Sequence, residues 1–91
     1  MAKRAKLKPS WFVYIALCAN DTFYTGITTD IKRRFQEHVS SRGARYTRSF
    51  KPIRLLWKEP HPERSSALKR EAQIKSWSRP QKEAFIYGRA L

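Results

Sequence analysis

The 91-residue chain has room for one domain and one core, and 41% hydrophobic with 13% aromatic residues suffices to fold without disulfides or a structural metal. Its 20 Lys and Arg against 7 Asp and Glu leave a formal charge of +13, which implies a polyanionic partner; basic residues interleaved with Trp11, Tyr46, Phe50 and Trp57, and the lack of a long basic amphipathic helix, favour nucleic acid over membrane. A single cysteine, Cys18, no zinc-finger spacing and no membrane-length apolar run exclude a disulfide framework, a structural zinc site and a spanning helix, so a soluble, unexported protein of the reducing cytoplasm is expected.

Met1 to Ser10 carries Lys3, Arg4, Lys6 and Lys8 with almost nothing to bury. It is expected to be a basic arm, solvated or touching nucleic acid, ahead of a single domain over residues 11–91. Trp11 to Cys18 is rich in aromatic and β-branched residues, Asn20-Asp21 supplies turn chemistry, and Phe23 to Ile27 is strand-like again, which predicts a β-hairpin. Thr29 and Asp30 offer capping side chains before Ile31, Phe35 and Val39, whose i, i+4, i+8 spacing predicts a helix from about Ile31 to Ser40. Gly43 breaks it, Arg42 to Lys51 is basic and loop-like, and Ile53 to Lys58 has the apolar content of a short third strand. Pro60 and Pro62 bracket a turn, after which Ser65 or Ser66 caps a helix to about Trp77. Ser78 and Gln81 at capping-box spacing, with Pro80 in the first turn, begin a last helix that reaches Tyr87 before Gly88. The order β-β-α-β-α-α predicts an α+β fold, a three-stranded, mainly antiparallel sheet flanked by helices.

Helical geometry singles out Glu71. At about 100° per residue, with Ala67 at zero, Ile74 falls at about 340°, Glu71 at about 40°, Leu68 at about 100° and Ala72 at about 140°, so a carboxylate lies within the apolar stripe. An unpaired buried charge costs several kcal/mol, so Glu71 needs either a cation such as a divalent metal or an internal salt bridge to one of the many Lys and Arg residues. Arg34 and His38 stand four residues apart at the edge of the first helix's stripe, at about 300° and 340° with Ile31 at zero. An arginine holds phosphate bidentately and a histidine moves protons near neutral pH; otherwise the pair is a partly exposed basic edge.

Tyr14 and Tyr24 lie one in each hairpin strand, with Gly26 two residues past the second. A two-residue loop of Asn20-Asp21 sends them to opposite faces of the sheet, whereas a three-residue loop or a bulge brings them together. Gly26 suits a place where a helix or a phosphate comes close to the backbone. Lys32, Arg33, Arg42, Arg45, Arg48, Lys51 and Arg54 form either a strand-tracking surface or a solvated face, and Tyr46 either stacks on a base or packs.

Phe12-Val13-Tyr14, Tyr24-Thr25-Gly26, Arg34 and His38 in the first helix, and Glu71 in a later helix resemble the successive signature positions of the GIY-YIG nuclease superfamily. The likeness runs from Trp11 to Tyr87 and is strongest for small stand-alone bacterial members, which have a similar run through Ala44-Arg45-Tyr46-Thr47-Arg48 to Ala67-Leu68-Lys69-Arg70-Glu71. The resemblance implies a groove across the sheet that holds the scissile phosphate, one Mg2+ or Mn2+ on Glu71, Arg34 on the phosphate, and Tyr14, Tyr24 and His38 positioning or deprotonating the attacking water. Which tyrosine acts as the base stays open. It also requires the odd loop or bulge near Asn20. Two positions depart from the pattern, Phe12 for the usual first glycine and Thr25 for the usual isoleucine, and neither removes a catalytic side chain.

The function so implied is metal-dependent, endonuclease-type hydrolysis of nucleic acid, DNA before RNA, by a monomer that binds no membrane. Arg34, the metal and the positive field are expected to favour a phenolate. The alternative is a non-catalytic module that recognises DNA or RNA structure on the same fold, or a basic RNA-associated protein.

Overall fold

Trp11–Cys18, the segment richest in β-branched and aromatic residues, forms strand β1 and becomes the middle of a three-stranded antiparallel sheet ordered β2-β1-β3. A computed structural model describes residues 10–40 and 52–88, except for the side chains of residues 38–40. There β1 is followed by β2 (Phe23–Thr28), α1 (Ile31–Ser40), β3 (Pro52–His61), α2 (Arg64–Lys75) and α3 (Arg79–Tyr87), the order and fold class expected. Residues 1–9 of the basic arm and residues 41–51, with Arg42, Arg45, Tyr46 and Arg48, lie outside the described residues.

The hairpin closes with an odd loop. The backbone N–H of Cys18 donates to Thr22 O (2.8 Å) and that of Asp21 donates to Cys18 O (2.9 Å), leaving Ala19, Asn20 and Asp21 in the loop. Asp21 takes φ 67°, the left-handed conformation that ends three-residue hairpin loops and that Asp tolerates. In the resulting register Phe12 faces Thr28, Tyr14 faces Gly26 and Ala16 faces Tyr24, so even-numbered hairpin residues share one face and odd-numbered residues the other.

The odd face is the core face. Val13 and Ile15 pack with Ala67 and Ile74 of α2, and Trp11, Phe23, Ile27, Leu56, Trp57, Trp77 and Ile86 close around them. The buried stripe of α2 is narrower than the apolar pattern suggested, since Leu68 and Ala72 are exposed. Glu63, not Ser65 or Ser66, holds the N-cap position of α2, and the helix ends at Lys75. The Ser66 hydroxyl donates to Glu63 O (3.0 Å) and lies 3.0 Å from His61 Nδ1. That histidine belongs to a β3 longer than the apolar content implied, because an edge strand tolerates Pro60 opposite Phe12.

Two arginines fasten the helices. Arg70 Nε donates to Glu59 Oε1 (3.1 Å), which also meets His61 Nε2 (2.8 Å), while its guanidinium lies 5.8, 5.7 and 5.3 Å from the ring centres of Trp57, Trp77 and Phe85. Arg79, in the first turn of α3, donates to Asp21 O (2.7 Å) and covers the Phe23 ring at 3.8 Å, tying α3 to the hairpin tip. The capping box of Ser78 and Gln81 and the left-handed Gly88 bound α3 as the sequence indicated. No helix among the described residues is long and apolar enough to cross a membrane.

Candidate active site

The even face of the hairpin carries Tyr14 and Tyr24 side by side, ring centres 6.0 Å apart and planes tilted by 49°. Diagonal neighbours across an antiparallel pair lie at about this reach, so the odd loop alone produces the juxtaposition. Gly26 makes room for it: a Cβ there would stand 2.9 Å from Tyr14 Oη, 3.1 Å from Tyr14 Cζ and 3.1 Å from Tyr24 Cε2. What approaches this glycine in the structure is therefore the pair of phenol rings.

Arg34 reaches the same place from α1. Asp30 caps that helix, its Oδ1 accepting from Arg33 N (3.0 Å) and its carbonyl from Arg34 N (3.0 Å), and Thr28 Oγ1 accepts from Asp30 N (3.1 Å). This fixed first turn carries the Arg34 guanidinium to both phenols, while its Nη1 also lies 3.4 Å from Glu37 Oε1. Burial opposes the Arg34 charge, but the two tyrosines outweigh it and hold its pKa above the usual value. Lys32 and Arg33 are exposed on the same helix, and Arg33 Nε lies 3.7 Å from Glu37 Oε2.

Tyr14 is 1% exposed, and among the described residues its buried hydroxyl has no hydrogen-bond partner of good geometry. Burial, followed by the neighbouring Tyr24, pushes its pKa up to about 12 against the opposing pull of Arg34. Arg34 acts on this residue in the anticipated direction, and burial outweighs it. At neutral pH this favours the protonated phenol.

A consequence follows for stability. An unfolded tyrosine ionises near pH 10, two units before the folded one, so between about pH 10 and 12 the folded state binds more protons and stability falls as pH rises. The contribution is complete below pH 10 and is about 3 kcal/mol. Tyr14→Phe is expected to flatten this part of a plot of Tm against pH; parallel profiles for the two proteins above pH 10 would contradict the assignment.

Glu71 stands on the sheet-facing side of α2 between the buried Ala67 and Ile74, its side chain 18% exposed. Its Oε2 lies 3.3 Å from Nζ of Lys75, which is 57% exposed. The structure thus brings together Tyr14, Tyr24, Gly26 and Arg34, and gives Glu71 an ion pair within its own helix. His38 lies on α1 one turn after Arg34. Among the described residues no three of His, Cys, Asp and Glu converge.

Two neighbours of Tyr14 were given no functional role by the sequence. Phe12 shares its face two residues earlier, and the exposed Lys58 is its cross-strand partner on β3. Their meeting depends on the β1/β3 register, which shifts at Ile15/Ala16 and leaves no mark in sequence spacing.

Comparison with known proteins gives the chain's family. Residues 10–84 match the GIY-YIG catalytic domain. A UPF0213 protein of Cupriavidus necator is 53% identical over 76 residues, covering 84% of this chain and 83% of that protein. One from Vibrio cholerae is 46% identical over 91 residues, covering 99% and 90%. Among solved structures, an E. faecalis protein determined by solution NMR is similar with a TM-score of 0.62 and 41% identity, covering 89% of this chain and 86% of that one. The UPF0213 protein of Bacillus halodurans gives a TM-score of 0.55 and 39% identity, covering 85% and 82%. With the catalytic-domain match spanning most of its length and relatives near half identical, the chain belongs to the GIY-YIG family, a nuclease superfamily.

Proposed function

We propose that this protein is a metal-dependent endonuclease that hydrolyses phosphodiester bonds in nucleic acid, DNA before RNA, with Tyr14, Tyr24 and Arg34 forming the phosphate site on the tyrosine face and His38 and Glu71 assigned as further catalytic residues by the family resemblance. The observation that carries the reading is a guanidinium set against two phenols on one sheet face, one phenol having a buried hydroxyl with no partner of good geometry among the described residues. A cation and a free donor side by side suit an incoming phosphate and water better than they suit packing.

Arg34 binds the non-bridging oxygens of the scissile phosphate, where negative charge grows during in-line displacement. Tyr14, neutral at physiological pH, orients the attacking water through its hydroxyl, with Tyr24 beside it. His38, one turn along α1, is the group assigned to take the water's proton onward. Glu71 fits a hard divalent cation: it offers a mostly buried carboxylate whose present partner is a half-exposed lysine held by a weak pair. Glu71 would be the carboxylate that holds Mg2+ or Mn2+ there. Such an ion supplies positive charge to the reacting oxygens. Lys32 and Arg33, with Arg42, Arg45, Tyr46 and Arg48 of the basic segment, extend the anionic-strand contact.

The Glu71–Lys75 ion pair favours a second reading, a non-catalytic module that binds DNA or RNA by charge and shape on the same fold. Incubating the protein with single-stranded, duplex, flapped and branched DNA, and with RNA, in Mg2+, Mn2+ or chelator separates the two. Metal-dependent products support the nuclease. Tight binding without products in either metal supports the module.

A further inference from the structure

We propose that Phe12 and Lys58 form a subsite for an unpaired nucleobase and its phosphate beside Tyr14, which directs the protein to single-stranded rather than fully paired nucleic acid. Phe12 is a half-buried aromatic that lies on the tyrosine face, not among the residues packed around the core. It stands two residues from Tyr14 on β1, about 7 Å along the strand. Lys58 is exposed, pairs with Tyr14 across β1 and β3, and holds its Nζ 6.0 Å from the centre of the Phe12 ring.

An aromatic face, an ammonium and the reaction centre therefore follow one another across a single sheet surface. Sheets that bind single strands use this combination, with the ring stacking a base and the cation neutralising its phosphate. Bases within a duplex are covered by their own neighbours and have no face to offer such a ring. The cation over Phe12 is exposed, so it can turn to a phosphate while the ring takes a base.

The inference rests on the tyrosine face being the nucleic-acid face. Its test is binding of the full chain in chelator, so a failure to cleave in metal leaves it standing and its own failure leaves cleavage standing. Fluorescence anisotropy would compare a labelled oligothymidine of about twelve nucleotides with a hairpin duplex. Phe12→Leu keeps the apolar volume and removes the stacking face; it is expected to weaken single-strand binding about tenfold and duplex binding less than about twofold. Phe12→Trp is expected to retain the preference, and Lys58→Gln to lower the single-strand salt slope by about 0.7. Equal losses on both substrates, or none on either, in a Phe12→Leu protein whose thermal melt is unchanged would reduce Phe12 to a packing residue.

Discussion

Glu71→Ala is expected to lower metal-dependent cleavage by roughly a thousandfold or more while changing nucleic-acid affinity by less than about twofold. The asymmetry follows from charge placement: binding draws on 20 Lys and Arg spread over the chain, whereas Glu71 is the one carboxylate on the buried side of α2. A cation on that carboxylate stabilises reacting oxygens by several kcal/mol, and tenfold in rate corresponds to about 1.4 kcal/mol. Glu71→Gln, close in volume and neutral, is expected to match the alanine variant, which separates loss of the ligand from loss of packing. Lys75→Ala removes the competing partner at 3.3 Å, worth about a few tenths of a kcal/mol for an i,i+4 pair with an exposed lysine, and is expected to lower the metal concentration needed by about twofold. Cleavage that persists in Glu71→Ala, with chelator as well as with metal, would remove Glu71 from the chemistry.

Arg34→Ala is expected to reduce kcat by roughly a hundred- to a thousandfold with a much smaller change in KM, because its strongest contact forms as charge builds on the phosphate oxygens. Arg34→Lys is expected to recover only part of the loss, since a point charge cannot reproduce a planar fork that meets two phenols and two phosphate oxygens together. The substitution has a spectroscopic signature too. Arg34 is the cation that opposes the upward shift of Tyr14, so its removal moves the phenol's titration further toward alkaline pH. A KM effect with kcat untouched would make Arg34 an ordinary phosphate clamp, and an unmoved tyrosine titration would separate it from Tyr14.

The tyrosine cluster was largely legible before any coordinates, though only as a condition. Side-chain parity showed that Tyr14 and Tyr24 meet if the hairpin loop is odd; the Cys18–Thr22 closure and the left-handed Asp21 satisfy that condition. The first turn of α1 was legible because Asp30 is a strong local cap, and the last helix because Ser78 and Gln81 act on each other within four residues. Long-range events were not legible. Pro60 reads as a breaker in isolation and is admitted because β3 turns out to be an edge strand. Ser66 reads as a cap but meets His61, a partner available only once β3 is extended. The acidity of Tyr14 could not be anticipated from its charged neighbour alone, because the depth of its burial, set by the whole sheet, exceeds Arg34's influence.

The grip of Arg79 on the hairpin bears on the order in which the molecule matures. Asp21 and Arg79 are separated by 58 residues, yet the carbonyl held by that guanidinium belongs to the turn whose length decides where both phenols point. During synthesis the turn precedes its clasp by 58 residues, so the bond that braces it forms only after β3 and α2 have also been made.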